Sequence, residues 1–583
     1  MRVSRLLAVP ALLAMAAVSF AQSLAPSQSR SARVLEMVPG QAQTVIYYPD
    51  FRRLEAKWSK VVAPFGGKDR LLDLERQTGI DPARVDSGPV LRVSFQAHGA
   101  AETWVWLVPA KDPNAALKGL SPTRKDEVWT WEGPRNAPKK QVKAAAPATW
   151  FGMAKAGYLV VAGSRADLAA FKQPASRLSV ELAPYTAWMD GHDVSVVATT
   201  SAVVRAAGVA SHSLKPTVEE RKAGSRLKGK LNRWVEMAKV SVHHVLAGLD
   251  VSEEGGLAFE ARALLTKGSP FSQELEHLPP VAGHPMTGLA TLEFAAAFGG
   301  EWSALFDVQS TLIESLNKAG KVQTMTLNNL QKAMETQSSL VRSVAGLFAA
   351  PSPGAFLMSG MTSLVRVSDS QAYLASMEET SKAQTAFLQD LGNPGTVTFT
   401  RDILPGVPSC GVTTRLGQKD DPATASSRAA MERIFGGDAI QMSLGALDDH
   451  RVLAVMGGPD LLKARMEAVR KAPEGLAPSI MAVEPDLGRD HRFVFYLDPR
   501  GMRAVAEVVA GMFGRPHAKS LPAIPEVPAV GLALSLDPGA VELRGSVRAE
   551  TLKATATLVK ALGALIPSDR KNPAPGQEPD SKD

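Results

Sequence analysis

Along the chain, alternating or continuous apolar runs end in a turn and lead into an amphipathic helix, and the same succession returns at long range. Four blocks recur in the same order. The first is an extended run, an Asp-centred turn and a helix: TWVWLVPAKDPNAALKGL from Thr103, and TSLVRVSDSQAYLASMEE from Thr362. Asp112 and Asp369 stand where a helix N-cap belongs. The second is a strand, a Gly turn and a helix: GYLVVAGSRADLAAFKQ from Gly157, and HRVLAVMGGPDLLKARMEAV from His450. Ser164 is placed to cap one helix, and Pro459 suits the first turn of the other. The third block, HDVSVVATTSAVVRAAG from His192 and HRFVFYLDPRGMRAVAEVVAG from His491, is again a strand running into a helix. The fourth sets AGLDVSEEGGLAFEARALL, from Ala247, beside VGLALSLDPGAVELRGSVR, from Val530. Period-two alternation on both sides of a Gly, Asp or Pro turn predicts a β-hairpin in each, the second turn one residue longer.

Any one pair of blocks has little weight, because strand–turn–helix units are common. Four pairs in one order point to a tandem duplication. The fold class expected is α+β: two related domains, residues 32–270 and 277–566, each a largely antiparallel sheet with helices packed on one face. The first opens with the strand in QTVIYYPDFRRLEAKW, from Gln43. The second opens with GLATLEFAAAFGGEW, from Gly288, and Asp50 and Glu293 are the matching acidic residues. Two polar insertions, from Gly133 and from Gly417, read as surface loops. The tail from Pro567, residues 567–583, is polar and Pro-rich and reads as disordered.

Two helices admit a second reading. From Leu327, apolar residues at Leu330, Met334, Val341, Val344 and Phe348 come close to heptad spacing, but the run is short, and a long helix lying on the sheet or the other domain is the better expectation. From Val218 to Val240, Leu227, Leu231, Trp234 and Ala238 make an apolar stripe, and Arg221, Lys222, Arg226, Lys228, Lys230 and Arg233 crowd the rest. That face suits weak contact with an anionic surface; a core-facing helix with a solvated basic face is the commoner use of the pattern.

The first residues change the picture of where this body works. Arg2 and Arg5 precede an uncharged apolar stretch from Leu6 to Val18, and Ser19-Phe20-Ala21 supplies the small residues of a cleavage site. This is the order of an export signal, residues 1–21, cut after Ala21. The stretch is shorter than the roughly 20 residues a membrane anchor needs. No other stretch reads as transmembrane: Arg342, Pro351 and Pro353 break the best candidate. Cys410, the lone cysteine among 583 residues, is far from the cleavage site and offers no lipid anchor there. The expected product is a released periplasmic or extracellular protein without intramolecular disulfides. Its length exceeds what one core supports. The net charge of +7 loses two with Arg2 and Arg5, too mild a surplus for a nucleic-acid binder.

Chemistry is hard to find in linear order. Phosphate-loop, dinucleotide, nucleophile-elbow and HExxH patterns are absent. Ser-x-x-Lys pairs at Ser225/Lys228, Ser315/Lys318 and Ser568/Lys571 are as frequent as composition predicts. His243-His244 on a strand would point to opposite faces and share an ion poorly. His277 and His284 flank Pro279-Pro280 and make a weak metal candidate. Asp448-Asp449-His450 and Asp490-His491 read as polar turns. Paired carboxylates for glycan cleavage are a spatial arrangement that linear order leaves open, and Glu253-Glu254 read as an exposed hairpin turn. Trp104 with Trp106, and Trp129 with Trp131, fit either a stacking platform for sugar or peptide or, more commonly, the buried face of a strand. Cys410 reads as a small buried residue. No catalytic, cofactor-binding or metal residue is assigned, and no cofactor.

The opening LEMVPGQAQTVIYYPDFRRL, with a second copy at HLPPVAGHPMTGLATLEFAAAF, resembles exported bacterial proteins classed as domains of unknown function. In those a Leu-Pro-Ala lead precedes a strand ending in an acidic residue; Val38-Pro39 and Leu278-Pro279 fill that lead here. The resemblance implies a bacterial envelope protein and carries no activity or site residue. The function expected is a non-catalytic binding or scaffolding module of the envelope, its partner a protein, glycan or lipid. The alternative is an exported hydrolase of envelope polymers with a spatially assembled site.

Overall fold

The computed structural model describes residues 30–565, apart from 68–73, 97–101, 135–147, 173–176, 215–234, 278–282, 290–292, 302–323, 352–354, 391–394, 416–431, 438, 472–474 and 513–520. The proposed leader, the tail, all three Ser-x-x-Lys pairs and most of the basic helix from Val218 lie outside these residues. Of that helix, residues 235–241 are helical.

The fold is mixed helix and antiparallel sheet. The first ten strands are β1 (Thr44–Tyr48), β2 (Val90–Gln96), β3 (Glu102–Pro109), β4 (Thr123–Lys125), β5 (Val128–Glu132), β6 (Thr149–Lys155), β7 (Tyr158–Ala162), β8 (Val194–Ala198), β9 (Val242–Val251) and β10 (Leu257–Leu265). The next ten are β11 (Ala296–Glu301), β12 (Val341–Phe348), β13 (Met361–Val367), β14 (Thr396–Arg401), β15 (Ser409–Arg415), β16 (Ala439–Asp448), β17 (Arg451–Met456), β18 (Phe493–Leu497), β19 (Val530–Asp537) and β20 (Ala540–Val547).

Every pairing among them is antiparallel, and together they make one sheet. The two series meet where β10 lies against β20. Outward from that seam, one side runs β10-β9-β8-β1-β2-β3-β7-β6-β5-β4. The other runs β20-β19-β18-β11-β12-β13-β17-β16-β15-β14. Each strand of the second series is the one ten places later in the chain.

Helices cover both faces of this sheet, not one face as expected. Val45 and Tyr47 of β1 pack with Leu35, Leu168, Leu182 and Met189. Their neighbour Tyr48, on the opposite face, packs with Phe51, Leu54, Val61 and Leu74. In the second half, Ala345 and Val455 join the core of Leu462, Met466 and Ile480, while Val344 and Val452 join that of Tyr373, Leu374 and Met377. Central strands such as β7, buried at four of five positions, carry apolar residues on both faces, which requires cover on both.

The other differences are local. The opening strand of the second half is β11, beyond Glu293. Its Gly299 and Gly300 are crowded by Pro285 and Phe493, at 2.8 Å from where a Cβ would stand. Strand glycines are an unusual signature, explained here by close approach. The apolar run from Leu327 is not one helix: Thr324–Leu340 is helical, and Val341, Val344 and Phe348 belong to β12. The β19–β20 turn is the shorter one, Pro538-Gly539 alone, against residues 252–256 between β9 and β10.

At the seam each strand carries Glu-x-Arg. Glu260 lies opposite Arg544, and Arg262 opposite Glu542. Arg262 contacts Glu260 and reaches Glu542 at 3.5 Å; Arg544 meets Glu542 at 2.7 Å and Glu260 at 3.6 Å. The neighbouring apolar residues, such as Ala263 and Val541, face the other way into a small core.

Candidate functional site

One end of the seam opens into a cleft of about 490 Å³, lined from both halves. Its wall begins where β1 ends. Asp50 caps the Phe51–Val62 helix, accepting the Arg53 N–H at 3.1 Å, and the helix then presents Arg53 and Lys57 one turn apart to the cleft. His192 and Asp193 arrive just before β8, and Asp250 at the end of β9. Asp486, Ser546 and Arg548 come from the second half.

The central groups hold one another. Lys57, only 7% exposed, donates to both oxygens of Asp193 at 2.9 and 2.7 Å. Asp193 also accepts the Val251 N–H, and its own N–H donates to Asp250. The other Asp250 oxygen lies 2.8 Å from His192 Nδ1. The imidazole sits edge-on to Trp188, ring centroids 4.5 Å apart, in a seat that a Cβ at Gly248 would fill, at 2.6 Å. Asp190 accepts the Tyr47 hydroxyl at 2.6 Å and the Ser31 N–H at 3.1 Å. Burial, then the hydrogen bond and charge of Asp190, push the Tyr47 hydroxyl well above the usual tyrosine range, so it remains a donor. On the far wall Arg548 pairs with Asp486 at 3.0 Å, and Ser546 donates to the same carboxylate at 2.5 Å. At the rim the hydrogen bond from Arg53 holds the exposed Glu253 below the usual carboxylate range.

Four cations (Arg30, Arg53, Lys57, Arg548) thus face five carboxylates (Asp50, Asp190, Asp193, Asp250, Asp486). This near balance suits a polar partner with both charge signs better than a polyanion. His192 with Asp250 is an oriented imidazole of the sort a general base uses. Two serines line the cleft: Ser252 accepts the Gly256 N–H, and Ser546 donates to Asp486. Neither is hydrogen-bonded to His192, so the arrangement lacks an activated nucleophile among the described residues.

The residues weighed from sequence fall as follows. Trp106, Trp129 and Trp131 are buried core, and Trp104 lies under the Arg92 guanidinium at 4.3 Å. Glu253 and Glu254 occupy the β9–β10 turn. Cys410 is buried in β15, its thiol pushed up by burial to about 12. Asp448 accepts the His450 N–H within the β16–β17 turn. His243 and His244 do not simply oppose each other. A bulge in β9 brings their rings to 5.2 Å, and His244 bonds Glu181 at 2.8 Å. His277 turns to the Gln273 carbonyl, whereas His284 goes to Glu484 and Tyr496.

That last contact belongs to a second cluster, which sequence reading missed. His284, Glu484 and His491 bring donor atoms within 4.8 Å of one another. Burial alone would raise the Glu484 pKa. Hydrogen bonds from His284, His491 and Tyr496 outweigh it and hold the carboxyl well below the usual range. The available signal was position: His192 and His491 each stand two residues before their strand. Glu484, in a separate short helix (Glu484–Leu487), had none.

No helix among the described residues is long and apolar enough to cross a membrane. Compared with known proteins, the chain matches no family model, no curated protein and no solved structure.

Proposed function

We propose that this chain is an exported protein of the bacterial cell envelope that binds or scaffolds a polar partner without chemical turnover. The observation that carries the reading is the seam cleft, walled by both halves, with its central charges held in pairs and neither of its lining serines hydrogen-bonded to His192. Such a surface is pre-organised for recognition and poorly equipped for bond cleavage. The leader-like first 21 residues and the resemblance to exported proteins of unknown function support the address. The repeated strand order on either side of the seam supports origin by tandem duplication, with the halves fused into one body.

The test uses the chain from Gln22 onward, immobilised and exposed to envelope extract, beside the double variant R30A/R53A. Capture of a partner that the variant loses is the expected result. Capture of nothing, or equal capture by both proteins, overturns it. Fractionation of cells making the full chain, with N-terminal sequencing, tests export: a start at Gln22 outside the cytoplasm is expected.

The His192–Asp250 dyad favours a second reading, an exported hydrolase of envelope polymers. Turnover of such a polymer that disappears in H192A would establish it in place of the first.

A further inference from the structure

Three elements converge in the second half of the sheet, one of them at least 200 residues before the other two in the chain. His284 belongs to the lead into β11, Glu484 starts a short helix, and His491 stands just before β18. His284 Nε2 is 3.2 Å from Glu484 Oε1, His491 Nε2 is 3.3 Å from Glu484 Oε2, and the Tyr496 hydroxyl is 3.1 Å from His284 Nε2. All are largely enclosed: side-chain exposure is 16% for His284, 19% for Glu484 and 4% for His491. In a tetrahedral zinc site with ligands at about 2.0–2.1 Å, neighbouring donor atoms stand about 3.3 Å apart. Each His–Glu spacing here is of that size, one to each oxygen of Glu484, and one donor atom from each of the three residues lies within 4.8 Å of the others.

We propose that His284, Glu484 and His491 form a binding site for one Zn²⁺-like transition-metal ion, with the Tyr496 hydroxyl at its fourth side. Two imidazoles and one carboxylate are a donor set for zinc and its neighbours, not for calcium or magnesium, which take oxygen. The enclosure marks the site as structural: the ion would tie the lead segment, the short helix and β18 together.

The first half supplies an internal contrast. There the buried Tyr47 and the lead segment's Ser31 N–H grip Asp190, and His192, in the place of His491, turns to Asp250. That hub has no histidine ligand, so one ion per chain is expected. Binding also has a local cost. A metal on His284 Nε2 requires the ring proton on Nδ1, where the Met286 N–H now donates at 3.2 Å. The ion therefore displaces that N–H from its acceptor, and the Met286 amide becomes more exchangeable on binding.

The test strips the full chain with a chelator, titrates it with ZnCl₂ by calorimetry, and measures metal retained after gel filtration. H284Q, E484Q and H491Q are compared with the surface control H277Q/H450Q, with circular dichroism to confirm folding. One ion per wild-type chain, binding weakened at least about tenfold in each cluster variant, unchanged binding in the control, and faster hydrogen exchange at Met286 with zinc are expected. Failure of the wild-type chain to retain zinc overturns the proposal without any variant. So does loss of binding in the surface control, or full retention by a folded H491Q.

Discussion

Lys57 shows what one side chain holds in place. Its ammonium is nearly enclosed and satisfies Asp193, which in turn fixes the end of β9 through Val251. Removing it leaves a largely enclosed carboxylate without its hydrogen-bonded counter-charge, Arg53 being the more distant cation that remains. Lys57→Ala should destabilise the fold by about 3–5 kcal/mol, read as a lower urea midpoint. Cys410 makes a prediction of opposite character. With its thiol raised from 9.0 to about 12, it should resist a disulfide reagent at pH 8 in the folded chain and react on unfolding. Because the folded value exceeds the unfolded one, its share of stability is intact below pH 9 and is lost as pH climbs toward 12. At this scale the sequence was partly legible. Asp112, Ser164 and Asp369 cap helices as their spacing predicts, since capping is a contact between near neighbours. Lys57 with Asp193, and His284 with Glu484, join residues more than a hundred positions apart, and no local pattern announces them.

Among the elements, legibility followed side-chain chemistry. Strands with alternating branched residues, such as β9 and β19, stand out. β11 was hidden because AAFGGE carries glycines where Phe493 and Pro285 crowd in, and glycine in a strand reads as a break. β12 was hidden because its valines continue, by chance, the spacing of the preceding helix. The seam is the element-level feature open to a decisive experiment. Glu260, Arg262, Glu542 and Arg544 are each 12–25% exposed, so the order of charge across β10 and β20 matters. E260R should set three guanidinium groups together and lower the thermal midpoint, and R544E alone should set three carboxylates together. The double exchange E260R/R544E restores two of each sign and should recover part of the loss, a coupling of about 1–3 kcal/mol.

For the whole molecule, the continuity of the sheet governs behaviour. If residues 32–270 and 277–566, the two domains expected, were separable, each would tolerate isolation. Here each half ends at the seam on a strand of eight or nine residues whose outer ladder is taken by the other. A fragment of residues 22–276 should therefore expose β10 as an unpaired edge and self-associate in gel filtration. A monomeric fragment of native-like stability would show that the edge is protected in some other way.

The pairing at that seam has a further property. Glu260 faces Arg544 while Arg262 faces Glu542, so exchanging the two strands returns the same set of contacts. This is the signature of an isologous interface, the kind that joins identical subunits about a two-fold axis, here perpendicular to the sheet. One half alone already holds both parts of the match: the Glu-x-Arg of β10 complements a second copy of itself. The seam thus has the form of a dimer interface held within one chain, and the covalent link fixes its two sides at one to one. Such a link also lets the two sides differ without losing each other: a charged cleft lies at one end of the seam, and the histidine cluster lies in the second half alone.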